Sequence, residues 1–242
     1  MYRKIGNDRC HRGVAQLAAR HVRDVEVGSS SLLTPTKMIA CNSISCKQFL
    51  ILMKPILYII AGPNGAGKTT ASFNVLPDIL DCKEYVNADE IARGLSPFDV
   101  ESVALQAGKL MLERIEFLLS QKTNFAIETT LTTRSYSKLI SKAKAIGYEV
   151  HIIFFWLNSP EMAYQRVAKR VSEGGHNIPK DVIRRRYWLG IKNLFTIFMP
   201  ITDYWELYNN TFETRMIANS NEIIDATLFN YIKECQSKKE RN

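Results

Sequence analysis

The chain has 242 residues, 46% hydrophobic and 23% charged, enough apolar material for one globular domain of ordinary size. That composition excludes a disordered, collagen-like or coiled-coil protein. The formal net charge is +8, from 32 Lys and Arg against 24 Asp and Glu; such a balance points to an anionic partner only where the charge is gathered together.

The charge is uneven. Residues 1–52 carry eight basic and three acidic groups, net +5, and the other 190 residues only +3, so nucleic acid is not expected as a partner. Cys10, Cys41 and Cys46 fall in the same segment, leaving Cys82 and Cys235 beyond it. Five scattered cysteines without paired spacing argue against a disulfide framework or a zinc site and fit a reducing, cytoplasmic location. The most apolar run, residues 49–61, has 13 residues and contains Lys54 and Pro55, too short for a bilayer span of about 20. A signal peptide is also a poor fit, because no small-residue cleavage site follows it.

Residues 1–52 show neither helical nor strand periodicity. Residues 12–17 and 29–36 instead resemble the conceptual translation of a transfer-RNA gene. GTA GCT CAG encodes Val14-Ala15-Gln16 and reads as a D-arm, and AGT TCG AGT encodes Ser29-Ser30-Ser31 and contains a T-loop. Arg12 to Pro35 spans 24 codons, 72 nucleotides, and compatible codons pair its ends as an acceptor stem. The expectation is a leader over residues 1–52, disordered or not translated, with Met53 as initiator and one domain over 53–242.

Ile56–Ala61 is a continuous β-prone run, as in a strand buried on both faces of a parallel sheet. Gly62-Pro63-Asn64-Gly65-Ala66-Gly67-Lys68-Thr69 follows, a complete G-x-x-x-x-G-K-[ST] phosphate-binding loop, or P-loop. Its backbone N–H groups and the next helix N-terminus would hold phosphates. Lys68 would reach the β- and γ-phosphates of ATP and Thr69 would ligate Mg²⁺, and Thr70, next in the chain, is also expected to bind the nucleotide.

Further along, the pattern predicts a strand over 83–87, a helix over 100–120, a strand over 124–128 and a helix over 136–146 stopped by Gly147. A strand over 148–157 comes next, then a helix opening at Ser159-Pro160-Glu161, where Ser caps and Pro takes the first turn. A last strand near 204–209 and a helix from Asn221 to about Cys235 complete the chain. Alternating strands and helices predict an α/β fold, a parallel sheet of about five strands flanked by helices.

Ligands of such sheets bind beyond the carboxyl ends of the strands. Asp89, after the second strand, is the expected base for an acceptor hydroxyl, with a helix N-cap as its alternative role. Glu128 ends the third strand and is expected to bind substrate with Thr129 and Thr130. The stretch 166–187 has the form of a helical lid. Arg166 and Arg170 share one helix face, a glycine pair forms the hinge, His176 either caps or hinges the lid or does chemistry, and Arg184, Arg185 and Arg186 point in different directions. Arg166 and Arg170 are expected to clamp the transferring phosphoryl group and Arg184 to contact substrate. The aromatic cluster Tyr187, Trp188, Phe195, Phe198, Tyr204 and Trp205 reads as core.

Together, residues 61–70, Val86-Asn87-Ala88-Asp89-Glu90-Ile91-Ala92, Ile127-Glu128-Thr129-Thr130-Leu131 and the Gly174-Gly175-His176 lid resemble the zeta toxin family of P-loop kinases. The resemblance implies ATP-dependent phosphorylation of a UDP-N-acetylhexosamine hydroxyl and a small helical antitoxin that blocks the nucleotide site. It also implies that Asp89 matches the family's catalytic base, Glu128 its substrate-contacting acid and the lid arginines its phosphate-binding arginines. The lid sequence is closer to a stand-alone subgroup. A kinase for another metabolite or a nucleic-acid end, and a nucleotide-dependent binding module, are the alternatives.

Overall fold

Ile56–Ala61 forms strand β1, buried at five of its six positions, and sits between β3 (Phe125–Thr129) and β4 (Glu149–Trp156). The computed structural model describes residues 54–76, 80–175 and 177–235; the expected leader, Met53 and His176 lie outside the described residues. With β2 (Glu84–Val86), β5 (Tyr204–Asn209) and β6 (Arg215–Asn219) the sheet has six strands in the order β2-β3-β1-β4-β5-β6. The first five are parallel and β6 runs antiparallel to β5.

The helices are α1 (Lys68–Val75), α2 (Ala88–Leu95), α3 (Ala104–Gln121), α4 (Tyr136–Ala145), α5 (Pro160–Ser172), α6 (Lys180–Asn193) and α7 (Ala226–Cys235). Helix α6 runs on into a π-helical turn over Leu194–Phe198. None of the helices among the described residues is long and apolar enough to cross a membrane.

The parallel register sets the position of the site. Ile60 pairs with Glu128, and Ala61 pairs with both Thr129 and Phe154. Strands β1 and β3 therefore end level, β4 runs two residues further, and the P-loop, Glu128 and the start of α5 emerge at one edge. Helix α5 begins as the sequence predicts: the Ser159 hydroxyl accepts from Met162 N at 3.1 Å and Pro160 fills the first position. Helix α6 packs directly on the turn after β3. A Cβ on Gly190 would lie 2.5 Å from the Thr130 carbonyl oxygen, so only glycine permits that approach.

The carboxyl-terminal part differs from the expectation. Strand β6 lies where no strand was predicted, and the last helix starts at Ala226 rather than Asn221. The Asn219 side chain accepts from Asn221 N (2.8 Å) and Glu222 N (3.1 Å), and Ala218 bridges Ile223. These contacts spend residues 221–224 on a turn back against β6. Asp225 then opens the helix, its carboxylate accepting from Leu228 N at 2.9 Å. Strand β2 is also shorter than predicted, because Asn87 leaves it to cap α2.

Most of the aromatic cluster packs as core, and Tyr204 is half-buried with its ring against that of His151. Tyr187 and Phe198 are buried, Trp188, Phe195 and Trp205 pack against the core, and Trp205 stacks on Phe229. On β5, Glu206 is buried and accepts from the Tyr208 hydroxyl at 3.2 Å. Burial raises its pKa to about 7 against the opposing hydrogen bonds from Tyr208 and Tyr204. A carboxyl with a pKa raised by folding stabilises the fold below its unfolded value, and that contribution is lost as pH rises toward 7. Glu206→Gln is therefore expected to be more stable than the wild type at pH 8, by about 2 kcal/mol. Denaturant titrations of the two proteins should converge at about pH 4, below the carboxyl's ordinary value.

Candidate active site

The P-loop joins β1 to α1, and its close approach to the strands depends on glycine. Gly62 has φ +144°, and a Cβ there would lie 2.3 Å from the Phe155 carbonyl oxygen. Helix α1 starts directly after Gly67, aiming its N-terminal dipole at the space the loop encloses.

Lys68 is buried, 6% exposed. Its ammonium donates to the Pro63 carbonyl at 3.0 Å and lies 3.6 Å from Glu128 Oε1. Burial lowers its pKa, while Glu128 and Asp89 oppose that shift and Arg170 adds to it. Three of the expected residues thus act on one ammonium: Glu128 from β3 by direct ion pairing, and Asp89 from α2 and Arg170 from α5 through their charge.

Glu128 Oε2 accepts three hydrogen bonds, from the Thr69 hydroxyl at 2.8 Å, from Asn87 Nδ2 at 3.0 Å and from the Tyr85 hydroxyl. Asn87 Nδ2 also lies 3.0 Å from the Tyr85 oxygen. Burial, and next the charge of Glu128, raise the Tyr85 pKa, keeping the phenol protonated as a donor. Tyr85 and Asn87 were not predicted as site residues. Their strand spacing of two, beside a parallel strand ending in an acid, was the available signal.

Asn87 also settles the alternative for Asp89. The cap of α2 is Asn87, whose Oδ1 accepts from Asp89 N at 2.8 Å. Asp89 occupies the first turn with its side chain exposed, free of a capping duty and within electrostatic reach of Lys68.

Thr129 is buried, and its hydroxyl accepts from Leu131 N at 3.1 Å. The Thr130 hydroxyl pairs with that of Thr132 at 3.1 Å. Both shape the turn after β3. Thr70 is exposed on α1.

In the lid, Arg166 donates to main-chain oxygens, Gly65 O at 3.4 Å and Thr211 O at 2.5 Å. Arg184 and Arg185 are exposed and Arg186 is half-buried, which sets Arg186 apart from the other two. The glycine pair closes α5: Gly174 has φ +89°, and Gly175 N donates to Arg170 O at 2.8 Å. That is the bonding of a Schellman cap.

The donor set also bears on metal binding. The Thr69 hydroxyl and the Glu128 carboxylate are two adjacent hard oxygens beside the phosphate loop. Mg²⁺ characteristically takes one or two such protein ligands and completes its shell with water and substrate phosphates. Among the described residues no group of three or more His, Cys, Asp and Glu could hold a metal alone.

The family model for zeta toxin matches residues 44–196, more than half of the chain. The chain belongs to the zeta toxin family. Membership makes this zeta toxin family protein an ATP-dependent kinase of the P-loop class. An uncharacterized protein of Haemophilus influenzae is 31% identical over 142 residues, 58% of this chain and 97% of that protein. Among solved structures, one from the PezAT chromosomal toxin-antitoxin system of Streptococcus pneumoniae superposes with TM-score 0.59 at 19% identity, covering 98% of this chain and 91% of that one. The AvrRxo1-ORF1:AvrRxo1-ORF2 complex with ATP gives TM-score 0.63 at 19% identity over 78% of this chain and 66% of that one. At such identities the likeness to both is one of fold.

Proposed function

We propose that this kinase transfers the γ-phosphoryl group of Mg²⁺-bound ATP to a sugar hydroxyl of a UDP-N-acetylhexosamine. The observation that carries the reading is the cluster on Lys68, where a phosphate-loop ammonium, the Glu128 carboxylate and the charge of Asp89 converge at the edge where β1 and β3 end. Phosphoryl transfer needs a positive group for the phosphates and a carboxylate for the acceptor, and both are at this edge.

In this reading the phosphates take over Lys68 and the P-loop amides, and Thr69, beside Glu128, would hold the Mg²⁺ that offsets phosphate charge. The acceptor oxygen attacks the γ-phosphorus, its proton passes to Asp89, and the bond to the β-phosphate oxygen breaks to release ADP. Arg170 neutralises charge on the transferring group. Glu128, freed from Lys68, contacts the acceptor, with Thr129 and Thr130 shaping the turn behind it and Arg184 closing from the lid. Arg166 supports the loop's main chain unless lid closure releases it to the phosphates. A small antitoxin covering the nucleotide site is the proposed partner, supported by the toxin-antitoxin system that contains the Streptococcus pneumoniae relative.

Incubation with γ-labelled ATP and a panel of UDP-sugars, free sugars, nucleosides and nucleic-acid ends tests the reading. Label on a UDP-N-acetylhexosamine is the expected result. Label only on another acceptor refutes the sugar-nucleotide assignment and leaves the kinase.

A further inference from the structure

The turn joining β5 to β6 is bonded to the back of the P-loop, although more than 140 residues separate them in sequence. Asn210 Nδ2 donates to the Ala66 carbonyl at 2.7 Å. The amide is fixed from its other end, where the Thr214 hydroxyl donates to Asn210 Oδ1 at 2.6 Å. The Asn210 backbone N–H donates to the Trp156 carbonyl at 2.8 Å, at the end of β4. The turn is therefore anchored to the sheet and its one amide group has a set orientation. The fit is close, since a Cβ on Gly67 would lie 2.9 Å from Asn210 Nδ2. Arg166 reinforces the join by bonding Gly65 O and Thr211 O together.

A trans peptide is planar, with its C=O and N–H directed oppositely. The unit that carries the Ala66 carbonyl carries the Gly67 N–H. Pinning the carbonyl toward Asn210 turns the Gly67 N–H away from the turn, toward the space the loop encloses. The neighbouring Ala66 N–H is already donated to Pro63 O at 3.2 Å, so the orientation of the Gly67 peptide matters to the loop's anion-binding capacity.

We infer that Asn210 is a positioning residue for the phosphate site, its amide fixing the Ala66–Gly67 peptide so that the Gly67 N–H meets a phosphate oxygen of the nucleoside triphosphate. The inference rests on the P-loop reading above. It assigns Asn210 a role in binding phosphate, with no contact to the base or the acceptor. A carboxylate at this position would keep the size of the side chain but replace the donor by an acceptor facing the Ala66 carbonyl.

Calorimetric titration of the full chain with Mg·ATP and with Mg·tripolyphosphate tests this, using the wild type, Asn210→Asp, Thr214→Val and, as a control, Lys68→Met. Asn210→Asp is expected to weaken both ligands by the same factor, about ten-fold, and Thr214→Val both by about three-fold. Ligand-free melting temperatures should stay within a few degrees of the wild type, which separates positioning from a loss of fold. If Asn210→Asp does not fold, the Thr214→Val titration decides alone. Wild-type affinity in both variants, with Lys68→Met still defective, overturns the role of Asn210 and leaves the P-loop reading standing. Weakening of ATP without weakening of tripolyphosphate also overturns it, because the contact would then serve the nucleoside. Failure of the wild type to bind either ligand overturns the P-loop reading and the inference together.

Discussion

Lys68→Met is expected to lower phosphoryl transfer by at least about a thousand-fold while leaving the fold intact, because the ammonium stabilises charge that develops only as the γ-phosphoryl group moves. The methionine chain fills the same buried path between Pro63 and Glu128. Glu128 loses an ion pair at 3.6 Å but keeps its hydrogen bonds from Thr69, Tyr85 and Asn87, so its carboxylate is not left bare. Initial rates with labelled ATP, beside circular dichroism and thermal melting of the ligand-free protein, check both halves. Transfer within ten-fold of the wild type would remove Lys68 from the chemistry.

Asp89→Asn should separate chemistry from binding. Loss of a general base typically costs about 10² to 10⁴ in rate, and kcat is expected to fall within that range while the dissociation constant for ATP changes little. The structure makes this variant clean. Helix α2 takes its cap from the Asn87 side chain, with Asp89 contributing only its backbone N–H. The substitution therefore removes only a first-turn charge, worth about 0.3–1 kcal/mol at an exposed site. An unchanged kcat would eliminate Asp89 as the base, and a matching fall in ATP affinity would move its role to the nucleotide.

Most of the central sheet can be read from the sequence because its strands are buried on both faces and stand out as apolar runs. The P-loop is legible from its glycines and its Lys-Thr pair, and the start of α5 from Ser159 and Pro160. Strand β6 is not. It lies at the sheet's antiparallel end, opens with the exposed Arg215, and is defined by pairing with Tyr208 and Asn209 and by the Asn219 turn, contacts that no local pattern contains.

The site divides in the same way. Lys68 is visible from the P-loop motif, and Glu128 and Asp89 as charged residues at or just after strand ends, where charge is conspicuous. Tyr85 and Asn87 look like ordinary strand residues until the parallel register sets them beside Glu128. Asn210 is harder still, because its partner is a main-chain carbonyl far away in sequence, and main-chain carbonyls carry no sequence signature. Arg166 and Arg170 illustrate the limit of helical spacing. It puts them on one face but does not reveal that Arg166 grips two carbonyls while Arg170 acts on Lys68.

If phosphates take over Lys68 as proposed, its pairing with Glu128 makes nucleotide binding an exchange of anions. An incoming phosphate must outcompete a carboxylate that belongs to the protein, is already desolvated and costs no association entropy. A lone orthophosphate offers little advantage over that resident group, whereas a triphosphate brings several oxygens to the loop amides at once. On the proposed function, the resting loop would discriminate by the number of phosphates, a selectivity threshold set by one side chain from the neighbouring strand.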